Sequence, residues 1–284
     1  MRAHLWTRGA DHATPPRKRA RRGPRVRSAC VLVILALAAS ATAQPPQAGR
    51  GGPPPTARAS APVDLTGTWV SVVTEDWEAR MVPPVKGDYT TINQVMNAQA
   101  LKVANSWEPS MDGRCEAYGV GGVMRMPGRL RISWQDDSTL KIETDAGAQT
   151  RLLRFAAPAP NAAAGPRTLQ GSSKAEWQLG GGQRDAFLER GVGPSGGAQR
   201  WGGLQVVTTN MLAGWLRPNG VPYGEGATVT EHFTRFTHPV AGDWFVVTTV
   251  VEDPQYLTQP MITSSNFKKE ANDAKFKPVP CRVS

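Results

Sequence analysis

Histidine and cysteine are scarce in this chain, with four and three copies in 284 residues, and the scarcity excludes much chemistry. Two of the histidines, His4 and His12, lie at the extreme N-terminus, which leaves His232 and His238. Zinc takes three or four convergent nitrogen, sulfur or oxygen ligands, and two histidines with no defined carboxylate partners do not make that set. No metal and no cofactor are expected. Long apolar runs are lacking as well. The run over residues 31–37 is too short to cross a bilayer as a helix, so no membrane span is expected. An excess of positive charge is also missing where it would matter. The whole chain is formally +10, but residues 1–43 hold nine of its 33 Lys and Arg and one of its 23 Asp and Glu. The remainder carries 24 basic against 22 acidic residues, and so close a balance gives no basic footprint for displacing counterions from nucleic acid.

What the N-terminus does have is a block of arginines, the apolar run and Ala41-Thr42-Ala43 before Gln44, the pattern of a cleavable secretory signal over residues 1–43. The expected destination is the periplasm or the cell exterior. Cys30 leaves with the signal, and in an oxidising compartment Cys115 and Cys281 are expected to pair. Such a bridge closes a long loop, worth on the order of 3 to 5 kcal/mol in the chain-entropy picture. Residues 44–62 are rich in Pro, Gly and Ala and read as a semi-extended tether. Residues 63–284 then suit a single β-rich domain, expected as a monomer.

Strand signals dominate that domain. Leu130, Ile132 and Trp134 alternate with Arg129, Arg131 and Ser133, and residues 135–138 make a turn. Residues 140–144 alternate again and pass through Asp145-Ala146-Gly147 into a third strand over 149–155. Further strands are expected at 169–177, 204–210, 228–236 and 244–252, the last apolar on both faces and therefore expected to be covered on both. Thr91 and Gln94 form a capping-box pair, and Ile92, Val95, Met96, Val103 and Trp107 fall on one face before Pro109. This predicts one helix that caps the sheet.

Chemistry-bearing motifs are weak. Gly191, Gly193 and Gly196 fit a dinucleotide-binding spacing, and Gly193-Pro194-Ser195-Gly196-Gly197 fits a nucleophile elbow, but neither has the strand before it and the helix after it that the chemistry needs. Acid–base chemistry has better candidates. Glu231 shares a strand face with Val229 and Phe233, so it points toward an apolar interior where desolvation raises a carboxyl pKa. Tyr223 and the neighbouring His232 are its candidate partners. The structural alternative is that Glu231 pairs with Arg235 or with a cross-strand arginine and serves only the fold.

Asp64-Leu65-Thr66-Gly67-Thr68-Trp69 resembles the Gly-x-Trp opening of lipocalins and avidin-type barrels, a resemblance that implies an antiparallel barrel with Trp69 packed across its closed end. A second set of segments resembles a widespread group of secreted bacterial proteins of unassigned function. It includes Pro127-Gly128-Arg129, Gly171-Ser172-Ser173 through Trp177, Glu231-His232-Phe233 and Glu252-Asp253-Pro254. That likeness implies fold and export, and no activity.

The expectation is thus an all-β, mainly antiparallel, lipocalin-like barrel or strongly curved sheet with one capping helix. Eight strands would leave room for one ligand. The leading function is binding of a small hydrophobic or aromatic molecule inside the barrel, with Trp69, Trp134, Trp177 and Tyr223 as ligand-contacting candidates. The alternatives are an acid–base isomerase, lyase or hydrolase using Glu231 with Tyr223 or His232, and an envelope interaction module.

Overall fold

The computed structural model describes residues 54–82, 84–155, 165–179 and 202–281. The expected signal segment, residues 1–43, and the 191–197 glycine-rich stretch lie outside the described residues. The described strands are β1 Gly67–Val72, β2 Arg129–Asp136, β3 Thr139–Thr144, β4 Ala146–Gly147, β5 Thr150–Arg154, β6 Ser172–Leu179, β7 Gly202–Thr209, β8 Gly214–Arg217, β9 Val221–Tyr223, β10 Thr228–His238, β11 Gly242–Glu252, β12 Met261–Lys269 and β13 Val279–Pro280. Two α-helices accompany them, α1 Trp77–Met81 and α2 Ala98–Ser106.

Nine of these strands close a barrel in the order β1-β12-β11-β10-β7-β6-β5-β3-β2, with β2 returning to β1. The barrel expected from the Gly-x-Trp start is therefore present, with nine strands rather than eight. An odd ring cannot alternate up and down throughout, so one neighbouring pair has to run parallel. That pair is β5 with β6, joined only through Leu153 opposite Ser173 and Arg154 opposite Lys174. The β2–β3–β5 meander forms as expected. Asp136 accepts from the backbone and hydroxyl of Ser138 in the first turn, and Gly147 takes φ +73° in the second.

Two apolar clusters fill the barrel from its two ends. The floor holds Trp69, Phe233, Phe245 and Phe267 with Leu130, Ile132, Leu140, Ile142, Leu153 and Leu204. The Trp69 indole stands edge-on to Phe245 at 4.7 Å, and Phe245 stacks on Phe267 at 4.8 Å. Residues 56–62 of the expected tether are not free of the barrel: Arg58 donates its amide to Asp137, and the Trp177 indole donates to the Ala57 carbonyl at 2.7 Å. The opposite opening is plugged by α2 and the β8–β9 hairpin, whose Ala100, Ala104, Leu216, Val221 and Tyr223 meet Val229, Val251 and Met261.

The capping helix differs from its predicted start. Thr91 sits at φ +67° and starts no helix, and Asn97 caps α2 instead by accepting from the Ala100 amide at 2.9 Å. Ile92 and Met96 still reach the core, but Ile92 from a turn and Met96 from an isolated bridge to Leu257. Strand β11 also departs from expectation, because Phe245, Val247, Thr249 and Val251 are buried while Trp244, Val246, Thr248 and Val250 are only half-buried. The outer face is that of a barrel wall, covered only in part among the described residues. Cys115 and Cys281 are paired, with Cα atoms 5.8 Å apart across 166 residues of chain. No helix among the described residues is long and apolar enough to cross a membrane.

Candidate functional site

Strand parity sends Glu231 inward and His232 outward, so the two cannot converge on one reacting group. Glu231 is fully enclosed, and its partner is Arg151 on β5, three strands away around the ring. Arg151 Nη1 donates to Oε1 at 2.9 Å and Nη2 donates to Oε2, a two-pronged arrangement in which the planar guanidinium matches the carboxylate. Arg235, the other candidate partner, is engaged by Asp243 and by the Asp64 carbonyl. Around this ion pair, Thr208 and Ser173 hydrogen-bond to each other at 2.8 Å, and Thr249, Thr263 and Ser265 are buried on neighbouring strands. The middle of the barrel is thus a polar layer between two apolar plugs.

Tyr223 lies in the mouth plug, with its ring so close to the 119–122 segment that a Cβ on Gly121 would come within 2.9 Å of it. Burial pushes its phenol above the ordinary range, offset only in part by the Gly121 amide and the charge of Arg151. Trp69 is a floor residue. Trp134 and Trp177 join Phe155 beyond that floor, with centroids 4.9 to 6.3 Å apart. The four ligand-contacting candidates therefore fall into two separate clusters instead of lining one hollow. His238 accepts from the amides of Val240 and Ala241 and shapes the β10–β11 turn.

Outside the barrel wall, the mouth carries a pocket of about 330 Å³ that no sequence pattern announced. Its lining includes Arg80 from α1, Arg125 and Met126 from the segment before β2, Leu216 and Arg217 from β8, and Asp112. Three guanidiniums meet here, each less than a tenth exposed. Asp76 binds two of them through one oxygen, accepting from Arg125 Nη2 at 2.7 Å and from Arg217 Nη2 at 2.6 Å. Glu75 lies 3.4 Å from Arg125, and Arg217 also donates to the Thr90 carbonyl and the Thr91 hydroxyl. The left-handed Thr91 that fails to start a helix is thus a ligand of Arg217.

Arg80 is held differently. Its Nε donates to the Arg125 carbonyl at 2.9 Å, while Nη1 and Nη2 have no acceptor among the described residues although the residue is only 7 % exposed. Burial lowers its pKa to about 10, and the charge of Arg125 pushes the same way against Glu75 and Asp76. It remains a cation at neutral pH. Buried donors without acceptors are costly, so this pocket is chemically disposed toward an anionic or strongly accepting guest. On the far wall, burial first and the contact with Glu116 second raise the Asp112 carboxyl to about 6, despite the Ala117 amide it accepts. Burial also works to raise Glu116, but the amides of Arg114 and of Glu116 itself, with Asp112 and the Arg114 side chain, outweigh it and hold Glu116 below its ordinary value.

Among the described residues no group of three or more His, Cys, Asp or Glu is placed to hold a metal ion. No family model matches the chain, and no curated protein or solved structure matches it either.

Proposed function

We propose that this chain is an exported binding protein for a small molecule with an apolar body, held at the plugged mouth of the barrel and not along its axis. The observation that carries the reading is the 330 Å³ pocket, lined by apolar Met81, Met126, Leu216 and Pro218 together with Arg80, a buried guanidinium whose Nη1 and Nη2 have no acceptor among the described residues. Pockets of this kind, mostly apolar with a few convergent polar groups, are the usual form of a small-molecule site. The barrel contributes rigidity, since its interior is taken up by the floor aromatics, the Arg151–Glu231 pair and the mouth plug. The signal-like N-terminus and the Cys115–Cys281 bridge support export into an oxidising compartment.

The test is native mass spectrometry and thermal-shift screening of the full chain beside the Ala79→Phe variant, which fills the pocket from α1. Wild-type protein should show ligand-induced stabilisation, and the variant should lose it while keeping its own unfolding transition. Equal stabilisation of both proteins would move the site elsewhere.

A further inference from the structure

One edge of the mouth pocket is more apolar than a protein surface needs to be. Trp77 and Met81 are four residues apart on α1 and share a face. They are 59 % and 56 % exposed, and Val82 and Val85 just beyond are 67 % and 73 % exposed. Single exposed apolar residues are ordinary, but four large ones within nine residues form a patch of the sort that marks an interaction. Met81 belongs to both features, since it lines the pocket and also continues the strip outward. A buried fork of free donors and an exposed apolar track therefore meet at adjacent residues, Arg80 and Met81.

We propose that the pocket takes an amphipathic carboxylate, its head accepting hydrogen bonds from Arg80 Nη1 and Nη2 and its apolar body leaving over Met81 and Trp77. This rests on the reading of the pocket as a binding site and adds the chemical class of its guest. A carboxylate offers two coplanar acceptors at the spacing of a guanidinium fork. The terminal nitrogens of Arg125 and Arg217 already have Asp76, Glu75, Thr90 and Thr91 as partners, so these two arginines act on the guest chiefly through their positive field. Asp112, in the same lining, and Glu116 beside it oppose further negative charge, which favours a monoanion over a phosphate dianion. The apolar body explains the strip, because covering Trp77, Met81 and Val82 removes apolar surface from water.

The experiment is calorimetric titration of the full chain at pH 7 with decanoate, decanol, acetate and decyl phosphate, each below its self-association concentration. Decanoate should bind at least tenfold more tightly than each of the others. Trp77→Ser, a surface change that leaves the fold intact, should weaken decanoate at least threefold. Arg80→Lys, which keeps the charge and removes the fork, should weaken it at least tenfold. Decanol binding as well as decanoate would overturn the head-group assignment, and an unaffected Trp77→Ser would overturn the path of the tail. If none of the four probes binds while a neutral compound stabilises wild type but not Ala79→Phe, the amphiphile is wrong and the site survives. If no compound distinguishes wild type from Ala79→Phe, both fall.

Discussion

Arg151 in the barrel and Arg80 at its mouth are both buried guanidiniums, and the molecule treats them in opposite ways. Arg151 engages its two terminal nitrogens with Glu231 and leaves Nε without an acceptor. Arg80 engages Nε with a backbone carbonyl and leaves both terminal nitrogens without one. The first arrangement is closed: a cation and an anion of matching shape neutralise each other where neither touches solvent. The second is unmatched: its terminal nitrogens are enclosed too but have no acceptor among the described residues, and Glu75 and Asp76, whose charges act on Arg80, are engaged by other arginines. A closed pair braces β5 against β10 close to the short parallel seam, where the barrel has the fewest backbone bonds. An open fork beside a pocket is what a guest can complete.

The sharpest way to break this comparison is to remove one member of the closed pair. Arg151→Met should destabilise the protein by about 3 to 5 kcal/mol, because it leaves Glu231 as an unpaired buried charge. Arg151→Met combined with Glu231→Leu should recover most of that loss. Urea unfolding of the two variants measures both, and a double variant as unstable as the single one would show that the pair is more than a brace.

Opening the disulfide should cost about 3 to 5 kcal/mol. Its effect should concentrate at the mouth, because Cys115 adjoins Asp112, Glu116 and Ala117, whereas the barrel pair lies on strands that the bridge does not touch. Hydrogen exchange of Cys115→Ala, Cys281→Ala protein should therefore show loss of protection in residues 112–125 before loss in β10 and β11. Uniform loss would mean that mouth and barrel open as one unit.

Acidity separates the two regions more gently. A carboxyl whose folded pKa is raised binds its proton more tightly in the native state, so its contribution is full below the unfolded value and is lost as pH rises through the folded one. For Asp112 that window runs from 3.8 to about 6. Partial exposure reduces the effect to about 1 kcal/mol. Stability should decline across this range and the decline should flatten in Asp112→Asn. A depressed carboxyl such as Glu116 acts in the other direction, losing its contribution as pH falls below 4.5. Equal slopes for wild type and Asp112→Asn would remove Asp112 from the account.

The smallest expected effect is also the most discriminating. Arg80→Met exchanges one backbone hydrogen bond for relief of two unmatched donors and of repulsion from Arg125, so stability should change by no more than about 1 kcal/mol in either direction. A loss comparable to that of Arg151→Met would mean that Arg80 is a structural residue and the open fork a misreading.

Much of the barrel could be read from alternation, because a strand with one wet face repeats every two residues. β2, β3, β7 and β10 show that pattern plainly, and the inward direction of Glu231 follows from its parity with Val229 and Phe233. β12 escaped because its inward positions include Thr263 and Ser265, which face the polar mid-layer and erase the apolar half of the pattern. The helix start was misplaced because a capping-box pattern at Thr91 and Gln94 competes with a tertiary demand, the hydrogen bond from Arg217 to Thr91. The Asn219-Gly220 turn closes the β8–β9 hairpin because Gly220 takes φ +86° against Trp107.

The arginine pocket left no trace in the sequence. Arg80, Arg125 and Arg217 belong to three separate segments, and in each the local pattern is that of an ordinary exposed cation. Strand alternation and the Gly-x-Trp start pointed to a mainly antiparallel barrel or strongly curved sheet, since each strand's side chains must choose a face within the strand itself, while closure through the parallel β5–β6 pair was decided in three dimensions. Which guanidinium met a carboxylate and which was left with free donors depended on segments far apart in the chain arriving at one place. Such pairings are set by distance and desolvation in three dimensions, and no periodicity along one dimension encodes them.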